Sequence, residues 1–152
     1  VRALSTFLRF LKPPNNPRQV SSAAVERGAD IFLQEDCAGC HSRDNGQSDD
    51  LFSLEEIGTA SAIQSYILRK VLDDAWGAVE GPRMINAPRL SGLWSTPRLL
   101  HNGSVESLEQ LLLCTADRPG PRDPIFGVGG HDYGCELPPQ DKSDLIHYLN
   151  SL

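Results

Sequence analysis

No apolar run in these 152 residues is long enough to cross a bilayer, a task that takes roughly 20 residues as a helix. Lysine and arginine form no cluster. The formal net charge is −6 and the pI about 5.1, so nothing is arrayed to neutralise phosphates and nucleic acid is excluded as a partner. A basic protein partner is compatible with that charge. Runs of alternating apolar and polar residues, the mark of half-buried strands, are also missing. Methionine occurs once, as Met84. Hydrophobic residues make up 39% of the chain and the mean hydropathy is −0.30, which describes one domain with a modest core. Eleven prolines and 13 glycines assign much of the chain to loops.

Helical spacing organises what remains. Val1, Leu4, Phe7, Leu8 and Leu11 predict a short amphipathic helix packed on the domain, or else the tail of a preceding domain. Pro13, Pro14 and Pro17, with Asn15 and Asn16, end it. Residues 1–20 therefore read as an N-terminal amphipathic segment and Pro-rich linker, and 21–152 as the domain proper. Ser21 to Glu35 is a helix capped by Ser21 or Ser22, with Val25, Gly28, Ala29 and Phe32 on one face. Gly28 leaves a flat spot beside an aromatic where another helix can approach. Ser42 to Asp50 is a polar loop with an Asn45-Gly46 turn, and Ser61 to Asp73 a second helix. Gly81 to Thr96 reads as loop and holds Met84 and Trp94. Ser104 is expected to cap a third helix reaching about Cys114, Asp117 to Gly134 is loop, and Gln140 to Leu152 is the last helix. The fold class is all-α, with the Ser21 and Gln140 helices crossing.

The chemistry concentrates in Cys37-Ala38-Gly39-Cys40-His41. Two thiols one helical turn apart can add to the two vinyl groups of one porphyrin, and the next residue then offers an imidazole to the iron. This reading gives one covalently attached haem c per chain, held by Cys37 and Cys40, with His41 as the proximal ligand. The porphyrin would also enlarge the apolar core. The alternative is a zinc site completed by Cys114 or Cys135, or a redox dithiol. A second close pair of ligands is missing, however, and His41 directly after Cys40 crowds a tetrahedral site. A thioredoxin-like motif would need a preceding strand and a βαβ setting.

Gly28, Phe32, Cys37, Cys40, His41 and the run Asp144-Leu145-Ile146-His147-Tyr148-Leu149 resemble the class I cytochrome c domain. The resemblance implies an all-α fold whose terminal helices cross near the haem edge, with long Gly- and Pro-rich loops around the group. The run from Ala87-Pro88-Arg89 through Leu93-Trp94-Ser95-Thr96-Pro97-Arg98 to His101-Asn102-Gly103-Ser104-Val105 resembles the C-terminal haem domain of the bacterial di-haem cytochrome c peroxidases. It is similar as well to the rubber oxygenases of that superfamily. Gly130-His131-Asp132-Tyr133-Gly134 resembles the rubber-oxygenase branch more than the peroxidases.

The sixth ligand of the iron has four candidates, Met84, His101, His131 and His147. The distal methionine of the peroxidases would fall near Cys114 or Thr115, where this chain has none. His131 leads, because it sits in a Gly-rich loop able to fold over the haem and matches a histidine of the resembling branch. Met84 is the alternative, and bis-His ligation would give the lower potential of the two. The resemblance gives His101 a place in the haem surroundings, bonded to a propionate or a backbone carbonyl, while His147 reads as a structural residue. Arg89, Trp94 and Arg98 are candidates to orient the propionates. Cys114 and Cys135 are expected to be bridged, in a periplasmic or otherwise exported location. A first residue other than Met fits a processed or excised chain. The expected role is electron transfer by a monohaem c-type cytochrome with a redox protein as partner, another haem protein being one candidate. The alternatives are an enzyme, as the haem domain of a peroxidase or oxygenase needing a second haem, and a docking module of a larger assembly.

Overall fold

The structure, a computed structural model, describes residues 2–11, 16–17, 21–41, 50–59, 84–122 and 127–152. The helix expected over Ser61 to Asp73, most of the Ser42 to Asp50 loop and most of the Pro-rich linker lie outside them. In chain order come α1 (Arg2–Phe10), α2 (Ser22–Gln34), α3 (Cys37–Cys40), β1 (Leu51–Ser53), α4 (Leu54–Ile57), β2 (Met84–Asn86), a 3-10 turn (Leu93–Ser95), α5 (Leu108–Leu111) and α6 (Pro139–Ser151).

The fold turns on the crossing of α2 and α6. A Cβ on Gly28 would lie 2.1 Å from the Asp144 carbonyl oxygen and 2.7 Å from Tyr148 Cβ. The helices meet backbone to backbone, and any side chain at position 28 would part them. One turn on, Phe32 meets Tyr148 with ring centroids 5.4 Å apart, an aromatic pair at a favourable tilt. Beside the crossing, Arg27 donates from Nε and Nη2 to the two carboxylate oxygens of Asp144 at 2.6 and 3.0 Å. Asp144 is 2% exposed, so its charge is tolerable because the guanidinium fork and Gln140 Nε2 partner it.

Around this pair one apolar cluster gathers Ile31 and Phe32 of α2, Leu90, Leu108 and Leu112, and Leu145 and Leu149 of α6. Cys37 and Ala38 pack against its edge, which sets the start of α3 directly on the core.

Three expectations are corrected. The protein is not plainly all-α: β1 and β2 form a small antiparallel pair with Leu51 opposite Asn86, Phe52 opposite Ile85 and Ser53 opposite Met84. Strands of three residues are too short to show alternation, and Met84 therefore stands in a strand and not in a loop. Ser104 does not cap a helix. Val105 is fully buried and bridges Leu99 in antiparallel fashion, so the chain stays extended there and the cap falls to Ser107, whose Oγ accepts from Gln110 N. The segment expected to pack on the domain leaves its described apolar side chains open: Leu4, Phe7, Phe10 and Leu11 are 51–80% exposed.

Gly28→Ala should overpack the crossing and lower unfolding stability by about 1–3 kcal/mol, read from denaturant unfolding of the holoprotein. The Asp144 carboxyl is held below its ordinary range, chiefly by the Arg27 hydrogen bonds. Its folded pKa lies under its unfolded one, so its contribution is present above the unfolded value and lost as pH falls through the folded value. Asp144→Asn should therefore flatten the stability–pH curve below about pH 4, measured by thermal unfolding across that window.

Candidate functional site

The Cys-x-x-Cys-His run is built by a backbone reversal. Asp36 takes a left-handed conformation, φ 54°, which ends α2 and lets α3 start in a new direction. Gly39 N bonds Asp36 O and His41 N bonds Cys37 O, each at 2.9 Å, closing the turn. Cys37 and Cys40 are not bridged to each other and are half-buried. Burial, with Glu35 next in weight, pushes the Cys37 thiol up to about 11, and burial also raises Cys40. A redox dithiol needs a lowered thiol pKa, so this pair is poorly suited to that chemistry.

Facing the motif are α4 and the loop around His131. Burial raises the Tyr133 hydroxyl pKa, with the charges of Cys40 and Glu56 adding to it. Burial lowers the His131 pKa and the charge of His41 lowers it further. The two histidines are therefore near enough to feel one another. His131 stacks edge-on against Tyr133 with ring centroids 5.3 Å apart, and Tyr133 Oη donates to Glu56 O at 3.0 Å.

The His131 loop is held from both sides. Its N–H donates to Ile57 O at 3.0 Å. Gly130, at φ 93°, lies so close to Thr59 that a Cβ would come within 2.4 Å of Thr59 Cα. From the other side Arg118, with no exposure at all, binds the carbonyls of Val128 and Gly130 at 2.6 and 2.7 Å. Asp132 Oδ1 accepts from both the backbone N and the hydroxyl of Thr115 at 2.7 Å. Cys114 and Cys135 form a disulfide spanning 21 residues, which encloses the whole loop. That bridge also removes both cysteines that could have completed a zinc site. Among the described residues no group of three or more His, Cys, Asp or Glu side chains gathers as a metal site.

The other candidate residues are placed as follows. His101 is in the turn between Leu99 and Val105, and its Nδ1 lies 2.9 Å from the hydroxyl of buried Thr59. That partner is a side-chain hydroxyl, not a carbonyl. Asn102 Nδ2 and Ser104 Oγ both donate to Gly127 O, so the His-Asn-Gly-Ser-Val run tethers the start of the His131 loop. Arg98 is exposed and pairs with Glu106 at 2.8 Å. Arg89 is exposed and Trp94 half-buried in the 3-10 turn. Met84 is 41% exposed in β2. His147 is half-buried on α6 beside Asn16 and Glu109. Thr59, Thr115 and Arg118 were not legible as site residues in the sequence. Arg118 in particular sits in an Asp-Arg-Pro-Gly run that reads as a surface turn.

One observation tests whether these residues suit a haem. His131 Nδ1 is buried and has no hydrogen-bond partner, an expensive state for a ring nitrogen unless its imidazole is committed to another group. An imidazole so placed, within electrostatic reach of His41, fits a haem.

Residues 85–120 match the family described as RoxA-like, cytochrome c-like. A cytochrome c-like domain implies haem binding and supports an electron-transfer role in general. The matched stretch runs from β2 through the His101 turn and α5 to Arg118. A protein of Sinorhizobium fredii (strain NBRC 101917 / NGR234) described as uncharacterized protein y4iJ is 36% identical over 55 residues, which is 36% of this chain. The match spans 9% of that protein's length. No solved structure matches significantly.

Replacing Cys114 and Cys135 together by Ala should cost roughly 2–4 kcal/mol, measured by unfolding of the holoprotein with the native bridge as reference.

Proposed function

We propose that the chain carries one haem c, bound covalently through Cys37 and Cys40, with His41 and His131 as axial ligands, and that it transfers electrons in an exported compartment. The observation that carries this reading is the buried, unpartnered nitrogen of His131 on a loop braced on two sides and near His41. When bound, the haem supplies one-electron exchange at iron.

The protein's own part is to bind and hold. Cys37 and Cys40 anchor the group beside the apolar cluster, and His41 follows on the same turn. The His131 loop offers the second imidazole from the opposite side. Thr59 orients His101 near α4, and Tyr133 braces the His131 ring. Two imidazole ligands would leave small oxidants no open iron site, which favours a carrier over a catalyst. The Cys114–Cys135 bridge supports an oxidising location, and the net charge of −6 favours a basic redox partner.

A second reading has its own support. The likeness of residues 85–120 to a RoxA-like family favours a haem domain working beside a second haem in an oxygenase or peroxidase.

Visible and near-infrared spectra of the ferric and ferrous holoprotein test the first reading. A low-spin ferric spectrum without a sulfur-to-iron charge-transfer band is expected. His131→Ala should convert it to high spin, whereas Met84→Leu should leave it unchanged. Loss of the low-spin spectrum in Met84→Leu alone would exchange the two residues' roles. Peroxide turnover by the isolated holoprotein well above that of free haem would replace the carrier reading with the enzyme reading.

A further inference from the structure

Arg118 is the only charged side chain among the described residues with no solvent exposure, and no carboxylate is buried with it. Its nearest, Asp132, lies at 3.5 Å with a side chain 51% exposed. Its charge is instead spread over main-chain dipoles. A guanidinium has five N–H donors in a fixed fork. Here Nε donates to Gln110 O at 3.1 Å, Nη1 to Val128 O and Gly130 O at 2.6 and 2.7 Å, and Nη2 to Leu111 O and Leu113 O at 2.8 and 2.7 Å. His131 O lies a further 3.3 Å from Nη2. Every donor is used, so none is left for a propionate or a partner.

The acceptors fall in two sets. Gln110, Leu111 and Leu113 are at or just past the C-terminal end of α5, where carbonyls run short of helical partners. Val128, Gly130 and His131 belong to the loop carrying the imidazole. Arg118 joins them across one buried atom group, and its own N–H returns to Cys114 O at 3.1 Å. The disulfide closes the same loop, but a covalent link at Cys135 does not by itself orient the imidazole of His131. His131 holds a left-handed backbone, φ 57°, which is unfavourable for an L-residue and persists only where neighbours enforce it.

Resting on the ligation proposed above, we infer that Arg118 is a positioning residue for the haem: it locks the carbonyls on either side of His131 and so holds that imidazole at bonding distance from the iron. Lys cannot replace it, because an ammonium has three donors at one point and lacks the fork.

The test uses the ferric holoprotein. Arg118→Gln should raise the high-spin fraction, and added imidazole should restore low spin by occupying the vacated position. Arg118→Lys should show the same change to a smaller degree. A purely structural role would lower the unfolding midpoint and leave the ligation spectrum of the folded protein unmoved. If both variants fold and keep the parent low-spin spectrum while His131→Ala turns high-spin, the inference is overturned and the ligation reading stands. An unchanged spectrum in His131→Ala sinks both together. Should the Arg118 variants not fold, nitrogen-15 NMR of the unaltered holoprotein decides. Separate, slowly exchanging guanidinium resonances are expected for Arg118, and a single averaged, fast-exchanging signal would refute the lock.

Discussion

Where α2 crosses α6, two backbones touch at a residue without a side chain. That contact orders everything downstream of it. Gly28 against the Asp144 carbonyl fixes the helices' approach, Phe32 against Tyr148 fixes their rotation, and the Arg27–Asp144 pair ties the outer edge. Only then does the chain reach Asp36, reverse, and present the thiols. The opposite end of the site is referenced to the same pair, because Cys135 lies just ahead of α6 and Lys142 Nζ bonds its carbonyl at 2.5 Å. The Cys-x-x-Cys-His turn and the His131 loop are thus measured from one junction.

A second tier of restraint compensates for how little regular structure lies near the site. The segment from Cys114 to Cys135 contains no helix or strand among its described residues. Its main-chain groups still need partners. Arg118 supplies five donors to carbonyls, Asp132 accepts from Thr115, and Asn102 and Ser104 converge on Gly127 O. Each is a side chain substituting for a ladder or helix bond. Bringing a guanidinium out of water is costly, and it is tolerable here because five carbonyl dipoles replace the lost hydration.

The sequence was informative where chemistry needs fixed spacing. The Cys-x-x-Cys-His run, the Gly28 approach with Phe32 and Tyr148, the last helix and the Cys114–Cys135 bridge were all readable, since each follows from a period, a turn or an arithmetic of thiols. The short β pair was not, because three residues carry no periodicity and its partners, Leu51 with Asn86, Phe52 with Ile85 and Ser53 with Met84, are far apart in the chain. The Ser107 cap was missed because Ser104 and Ser107 are both eligible and only the burial of Val105 decides between them. Arg118 was invisible for a deeper reason: an arginine in a Gly- and Pro-rich stretch is normally solvated, and its acceptors are main-chain atoms, which leave no trace in residue identity.

Backbone strain points to the same place. Among the described residues three without glycine's freedom adopt positive φ: Asp36 at 54°, Leu100 at 64° and His131 at 57°. Asp and His tolerate that region better than most, whereas a leucine there is an outlier. Asp36 opens the turn that bears both thiols, Leu100 precedes His101, and His131 is itself the imidazole in question. None of the three lies in the helix crossing or the apolar cluster, where relaxed geometry was available. Strain of this kind is retained only when surrounding contacts over-determine it. For His131 those contacts are identified, with Ile57 on the amide side and Arg118 on the carbonyl side. The disulfide acts mainly on the unfolded chain and the arginine on the folded one, so the two are not redundant: the first limits where the loop can wander, and the second sets which way its histidine faces.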